Sequence, residues 1–351
     1  QQLFNSLLSQ YPNALTELTL LSRCASPLAS VLRGECNPVQ LVFPQGDLTT
    51  ANQLYQESSL AKVMNTLVQQ TVLSALENLP KSRGVRVLEI GGGTGGTTAH
   101  ILPYLNPDRT EYVFTDISSL FTTKATEKFA DYPFVRYQTL DIEVDPFIQG
   151  FEFYQYDLII AANVLHATAD LSDTLRHVRQ LLAPKGMLVL LEGTTPQRSL
   201  DLIFGLLEGW WRFTDVDLRP NHPLLSVKQW QQLLEKSGFQ QAVSISDIED
   251  PNALSEQAVI LAQADDTRLS NTFSEAKSWL ILADRQGIAQ QLAAQLESTG
   301  DVCILVKSGK EFQQISQQEF TINPNNPKES EELLLALSEE LPRLNGVVQC
   351  W

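Results

Sequence analysis

The 351-residue sequence is short of positive charge. Its 25 Lys and Arg stand against 41 Asp and Glu, a formal net charge of −16. Nucleic-acid binding needs basic patches facing the phosphates, so that class of partner is disfavoured. Cysteine is scarce too. Cys24, Cys36, Cys303 and Cys350 lie far apart and form no C-x-x-C, so they read as free thiols in a reducing, cytoplasmic setting. The four histidines, His100, His166, His177 and His222, have no metal-ligand spacing with Cys or Asp, and no metal is expected. No run of 18 apolar residues occurs, hence no expected membrane span. Gln1–Gln10 has no basic stretch before an apolar core, the mark of a signal peptide. The start at Gln1 without Met, and the end at Trp351 inside an apolar run, are expected of a piece of a longer polypeptide.

Glycine, by contrast, is concentrated at one place. Val85–Gly96 reads V-R-V-L-E-I-G-G-G-T-G-G, an apolar run that ends in Glu89 and then in five glycines within six residues. Gly91, Gly93 and Gly96 fit G-x-G-x-x-G, a strand-to-helix turn that lets a backbone approach a nucleotide. So many glycines are costly to order and need a reason.

The length predicts about two domains. Residues 1–50 hold two short amphipathic segments, Leu3–Leu8 and Ala14–Ser22, and then an irregular stretch ending Leu41-Val42-Phe43-Pro44. Over 56–79, apolar residues from Leu60 to Leu79 recur at helical spacing. From Val85 strands and helices alternate, which predicts a parallel sheet. The strands read as 85–90, 111–115, 134–139, 156–161 and 187–192, the helices as 97–104, 118–129 and 171–182. A helical, Trp-containing stretch, Leu200–Phe213, breaks the alternation. A helix over 226–237 and an antiparallel pair near 239–246 and 257–263 close the domain. The polar stretch 264–278 reads as a linker. A second strand–helix–strand follows at 279–283, 288–296 and 302–306, then a loop Thr321–Lys328, a helix over about 329–339 and a strand from Val347.

A parallel sheet binds ligands at the carboxyl ends of its strands. Glu89 and the glycines follow the first strand and Asp116 the second. Asp141 follows the third, Asn163 and His166 the fourth, and Glu192 the fifth. Asp116, twenty residues past Gly96, can accept both ribose hydroxyls. A nicotinamide site and an S-adenosylmethionine (SAM) site share these features. Three others favour SAM: the order Glu89-x-Gly91-x-Gly93-x-Gly95, an acid at Asp141-Ile142 suited to an adenine amino group, and the turn Leu182-Ala183-Pro184-Lys185-Gly186. That turn and the closing antiparallel pair resemble the class I SAM-dependent methyltransferases, a Rossmann-like α/β fold with a mostly parallel sheet. The cofactor residues are then Glu89, Gly91, Gly93, Gly95, Asp116, Asp141, Ile142 and Asn163.

Further motifs narrow the resemblance. Asn163-Val164-Leu165-His166-Ala167, then Glu192-Gly193, is similar to the carbon-methyltransferase (CMeT) domain of type I modular and fungal polyketide synthases. So are Leu54-Tyr55-Gln56-Glu57-Ser58 and Gly209-Trp210-Trp211 with Asp215, Arg219 and Pro223-Leu224. The resemblance implies a helical lid over 1–80, a methyltransferase core over 81–263, a linker over 264–278 and, over 279–351, the start of a pseudo-ketoreductase structural subdomain. In that last segment Leu282-Ala283-Asp284-Arg285-Gln286-Gly287 holds a single glycine, so no NADPH binding is expected there. The implied reaction is methylation of the α-carbon of a β-ketoacyl thioester on the phosphopantetheine arm of an acyl carrier protein. Other domains of the same synthase are implied partners; no nucleic acid or membrane is.

A carbon between two carbonyls is acidic enough for a side chain to deprotonate, and His is poised for that near neutral pH. The resemblance makes His166 and Glu192 the catalytic dyad, with Glu192 orienting the imidazole. Tyr55 and Asn65 from the lid, Trp210 and Trp211 as walls, and His222 are candidate substrate contacts. His177 is expected to be solvated and His100 structural. Methyl transfer to oxygen or nitrogen, a non-catalytic scaffold, and a nicotinamide-dependent reductase stay open as alternatives.

Overall fold

The computed structural model describes residues 2–77, 79, 83–245, 256–266, 278–297, 301–316, 318–340, 344 and 346–351. Most of the expected linker lies outside the described residues. The chain divides into two units, Gln1–Arg268 and Leu269–Trp351.

The first unit is built on seven strands: β1 (Val85–Ile90), β2 (Thr110–Asp116), β3 (Val135–Thr139), β4 (Tyr156–Ala162), β5 (Leu182–Gly193), β6 (Phe239–Ile245) and β7 (Gln257–Ala264). Their order is β3-β2-β1-β4-β5-β7-β6. The first five are parallel, and β7 runs antiparallel to both β5 and β6. The strand order reverses between β1 and β4. Loops leaving two such strands diverge to opposite sides, which opens a crevice at their carboxyl ends.

Side-chain alternation explains why the central strands are apolar throughout. Leu88, Ile90, Ile159, Ala161, Leu188, Leu190 and Ile260 enter one core. Val85, Val87, Leu158, Ile160, Val189, Leu191 and Val259 enter the other. Both faces are covered, as a parallel sheet requires. Each buried aliphatic side chain contributes about 1.5–3 kcal/mol of transfer free energy.

The α-helices of six residues or more in this unit, in chain order and among the described residues, are α1 (Gln2–Gln10), α2 (Leu15–Ala25), α3 (Ser59–Glu77), α4 (Gly96–Ile101), α5 (Ser119–Lys128), α6 (Leu171–Leu181), α7 (Arg198–Ile203) and α8 (Val227–Lys236). The stripe Met64, Val68, Val72 and Ala75 of α3 packs on the second core. On α6, Leu171, Leu175, Val178 and Leu181 face the first. Asp170 caps α6 by accepting from the N–H groups of Ser172 and Asp173. Leu20 and Cys24 of α2 share a small cluster with Val42 and with Ile203 of α7. A π-turn, Gln53–Glu57, leads into α3.

Three local readings change. Leu182 is already extended and pairs with Tyr156, while Met187 pairs with Leu158. The expected turn, Ala183–Gly186, is therefore looped out of a strand that has begun, with Lys185 at φ 62°; Pro184 has no N–H for the ladder. The stretch after β5 is helical only to Ile203; Phe204–Leu206 and Glu208–Trp211 are 3₁₀ turns. His177 is not solvated: it is 3 % exposed, and its Nδ1 lies 2.7 Å from the Ile142 carbonyl oxygen. His100 is tied to its own helix, Nδ1 to the Gly96 carbonyl at 3.0 Å.

Among the described residues the second unit has five strands: β8 (Ser278–Ala283), β9 (Val302–Ser308), β10 (Gln313–Gln314), β11 (Glu319–Ile322) and β12 (Gly346–Gln349), in the order β10-β11-β9-β8-β12. Helices α9 (Ile288–Glu297) and α10 (Pro327–Glu340) connect them. The expected loop from Thr321 shrinks to 323–326, because Phe320 and Ile322 point into the core of this unit from a strand too short to show periodicity. Before α9, the Asp284 carboxylate accepts from Gln286 N–H at 2.7 Å and Ala289 N–H at 2.9 Å. Those donors are the ones a phosphate would seek at this position. Among the described residues, no helix is long and apolar enough to cross a membrane, and no group of three His, Cys, Asp or Glu could hold a metal ion.

Candidate active site

The glycine loop leaves β1 at the reversal point. Its Gly92 N–H bonds the Thr115 carbonyl at 2.8 Å, and its Gly93 N–H donates to Asp116 Oδ2 at 3.0 Å. Asp116 Oδ1 accepts from Ser118 N–H at 2.9 Å. Burial pushes the Asp116 carboxyl up, against the pull of these two bonds. Glu89 is 1 % exposed; its Oε2 accepts from Thr98 Oγ1 at 2.6 Å and from the Tyr112 hydroxyl at 2.7 Å. Burial pushes its carboxyl up to about 7, and the two hydroxyls pull the other way. Gly93, at φ 54°, meets nothing nearer than 3.9 Å on its Cβ side. Open space over a positive-φ glycine, with acidic groups at the ends of β1 and β2, fits a ligand carrying both a cation and a diol. Asp141 lies beyond them, its Oδ1 accepting from Glu143 N–H at 3.0 Å. Ile142 is buried, its carbonyl occupied by His177.

The π-turn sits directly on this loop. A Cβ on Gly96 would lie 2.7 Å from the Tyr55 carbonyl oxygen, so only glycine permits the contact. Asn65, 3 % exposed, donates to that same carbonyl at 2.9 Å and accepts from Thr97 Oγ1 at 2.8 Å. Its amide thus fastens the π-turn to α4. Lys128 Nζ bridges Gln56 Oε1 at 2.8 Å and the Thr94 carbonyl at 2.9 Å. A cavity of about 450 Å³ lies beside the loop, between residues 47–52 and α5. His166 and Glu192 do not line it.

Across the reversal point, β4 is followed by Asn163, which adopts a left-handed conformation, φ 52°, that Asn tolerates better than most residues. The chain then turns so that the N–H groups of Val164, Leu165 and His166 all point at Glu192 Oε1, at 3.1, 2.8 and 3.3 Å. The other oxygen, Oε2, lies 2.5 Å from His166 Nδ1. Glu192 is fully buried and His166 is 9 % exposed. A carboxylate surrounded by donors fixes the tautomer: Nδ1 carries the hydrogen, and Nε2 keeps a lone pair. The dyad can therefore accept a proton at Nε2 and spread the resulting charge onto a carboxylate already held in place.

An aromatic wall adjoins the imidazole. Trp210 meets His166 edge-on at 5.3 Å between ring centroids, and Phe204 stacks on Trp210 at 5.9 Å. Tyr55 reaches Phe204 from the π-turn at 6.3 Å. Although 38 % of Tyr55 is exposed, burial of its hydroxyl end, and then the Glu192 charge, hold its phenol well above the ordinary value. His222 lies edge-on to both Trp210 and Trp211. Its Nδ1 accepts from Leu224 N–H at 3.2 Å and its Nε2 donates to Asp201 Oδ1 at 3.0 Å. Trp210 Nε1 shares that oxygen at 3.3 Å. Tyr55, Trp210 and His222 thus gather on the His166 side, with Trp211, 45 % exposed, at the outer rim.

Three residues of this region carry no role in the sequence reading. Asp201 anchors the wall. Glu143 accepts from Ala169 N–H and pairs with Arg212. Arg219 reaches the backbone beside His166. The spacing Asp215–Arg219, one helical turn, was the available signal for the last.

Residues 88–188 match the family model described as a methyltransferase domain. The crystal structure of the CurJ carbon methyltransferase is 64 % identical, with TM-score 0.73, over 75 % of this chain and 70 % of that one. The trans-methyltransferase CalH, solved in complex with SAH, is 32 % identical with TM-score 0.63, over 75 % of this chain and 72 % of that one. The non-reducing polyketide synthase mapC of Penicillium brevicompactum is 37 % identical over 246 residues, 68 % of this chain. The chain spans about a tenth of the length of that synthase and of the other curated relatives compared. With the strand order, the glycine loop and the His–Glu pair in place, the chain belongs to the S-adenosylmethionine-dependent carbon methyltransferase domains of polyketide synthases.

Proposed function

We propose that this domain methylates the α-carbon of a β-ketoacyl thioester carried on the phosphopantetheine arm of an acyl carrier protein, with His166 as general base and Glu192 as its orienting carboxylate. The observation that carries the reading is the 2.5 Å contact between His166 Nδ1 and Glu192 Oε2 beside an aromatic wall. Glu89, Gly91, Gly93, Gly95, Asp116, Asp141, Ile142 and Asn163 would hold SAM. When bound, SAM supplies an activated methyl group that needs no metal. His166 Nε2 takes the proton between the two carbonyls, and the electrons of the C–H bond move into the enolate. Glu192 stabilises the imidazolium that forms. Trp210, with Phe204 and the Tyr55 ring, excludes water from the base, and His222 holds Trp210 in place through Asp201. The segment 279–351 is the start of a structural ketoreductase-like subdomain whose Asp284 occupies the anion position.

The test is incubation with SAM and a panel of β-ketoacyl carrier-protein substrates, reading mass gain and locating an isotopically labelled methyl by fragmentation. His166→Ala is expected to lose methyl transfer and keep its affinity for SAH. A label on oxygen or nitrogen, or wild-type turnover in His166→Ala, would overturn the reading.

A further inference from the structure

Arg219 is buried against the backbone of His166. It is 1 % exposed. Its Nε bonds Asp215 Oδ1 at 2.6 Å. Its Nη1 donates to the His166 carbonyl at 2.8 Å, and its Nη2 donates to the carbonyls of Thr168 at 2.8 Å and Ala169 at 3.0 Å. The Phe213 ring lies 5.1 Å from the guanidinium carbon. Asp215 spends its other oxygen on the Leu171 N–H at 3.0 Å. Burying a guanidinium is unfavourable unless its charge and its donors are all met. Here the charge is met by one carboxylate, and three further N–H bonds go to the carbonyls of His166 itself, Thr168 and Ala169.

The segment 164–171 is therefore suspended from both sides. Glu192 takes the N–H groups of 164, 165 and 166, and Glu143 takes that of Ala169. Arg219 takes the carbonyls of 166, 168 and 169. Bonds to the N–H and the C=O of the same residue fix both backbone torsions of His166, and so the direction in which its side chain leaves the chain. A bond from Glu192 to the ring alone leaves that direction free to swing. The planar guanidinium serves three separate carbonyls from one rigid fork, and a lysine ammonium at the end of a flexible stem cannot reproduce that geometry.

We propose that Arg219, supported by Asp215, is a positioning residue for His166, fixing the backbone on the carboxyl side of the imidazole as Glu192 fixes it on the amino side. The proposal rests on the reading of His166 as the base. The experiment compares Arg219→Lys, Asp215→Asn and His166→Ala in the full chain. Turnover is read with SAM and the N-acetylcysteamine thioester of acetoacetate, SAH affinity by calorimetry, and amide hydrogen exchange by mass spectrometry. Arg219→Lys is expected to lower kcat on the order of 10²-fold, the scale of a misplaced catalytic group, with KM and SAH affinity unchanged. Exchange is expected to quicken in peptides covering 164–171 and not elsewhere in the unit. Asp215→Asn keeps the three carbonyl bonds and is expected to show the same changes more weakly, which covers a folding failure of the first variant. Unchanged exchange in 164–171, or exchange quickened throughout the unit, overturns the proposal. Locally quickened exchange with wild-type kcat overturns it if His166→Ala is inactive. If His166→Ala is active as well, the base assignment falls instead.

Discussion

Glu192→Gln should be far more damaging to turnover than to stability. The side chain is fully buried and accepts three backbone N–H groups on Oε1 and the His166 Nδ1 hydrogen on Oε2. An amide has one acceptor end and one donor end. Three converging N–H groups hold the amide oxygen at the Oε1 position, so the NH₂ must face His166. Nδ1 then becomes an acceptor, and the ring hydrogen moves to Nε2, the nitrogen proposed to take the α-proton. A shape-preserving change that inverts the tautomer of a catalytic histidine lowers kcat on the order of 10⁴-fold, about 5 kcal/mol of barrier. Stability should fall little, since the N–H groups keep an acceptor. Glu192→Ala should instead leave three buried donors unmet at about 1–3 kcal/mol each, a large part of the roughly 5–15 kcal/mol that holds a domain folded. Steady-state methylation, SAH calorimetry and chemical denaturation on both variants separate these effects. A Gln variant within about tenfold of wild-type kcat, against the 10⁴ expected, would falsify the tautomer argument.

Asp116→Ala should weaken SAH binding by roughly tenfold or more, about 1.4 kcal/mol, because it removes the carboxylate proposed to hold the ribose and frees the Gly93 N–H; unchanged calorimetric affinity would contradict this. Glu89 gives a pH dependence of the cofactor-free protein. Its folded carboxyl titrates at about 7 against an ordinary 4.5, so between those values the native state holds a proton that the unfolded chain has released. Stability is then fully favoured below pH 4.5 and falls as pH rises through 7, by roughly 3 kcal/mol. Denaturation midpoints of the wild type and Glu89→Gln across that range test it: the variant should lack this fall, and parallel curves would count against it.

Much of the first unit was legible because its strands are buried on both faces and its turns are marked by glycine and proline. Polar residues stand at successive strand ends, which located Glu89, Asp116, His166 and Glu192 in one dimension. What could not be read depends on partners distant in the chain. Asn65 is a candidate substrate contact in the sequence, and nothing local records that its amide bridges Tyr55 and Thr97. His177 sits off the apolar stripe of α6, yet finds the Ile142 carbonyl 35 residues away. Arg219 meets carbonyls some 50 residues upstream, and no local period records such a contact. In the second unit β10 and β11 are too short to show alternation.

The fastening of the π-turn to the glycine loop has a consequence for traffic through the domain. Asn65 ties the Tyr55 carbonyl to Thr97, and Lys128 ties Gln56 to Thr94. The same five-residue turn carries the Tyr55 ring against Phe204. Lifting that turn off the loop withdraws the ring from the wall in one motion. Under the proposed function, one movement of this turn would therefore act on the cofactor loop and on the acyl-side wall together.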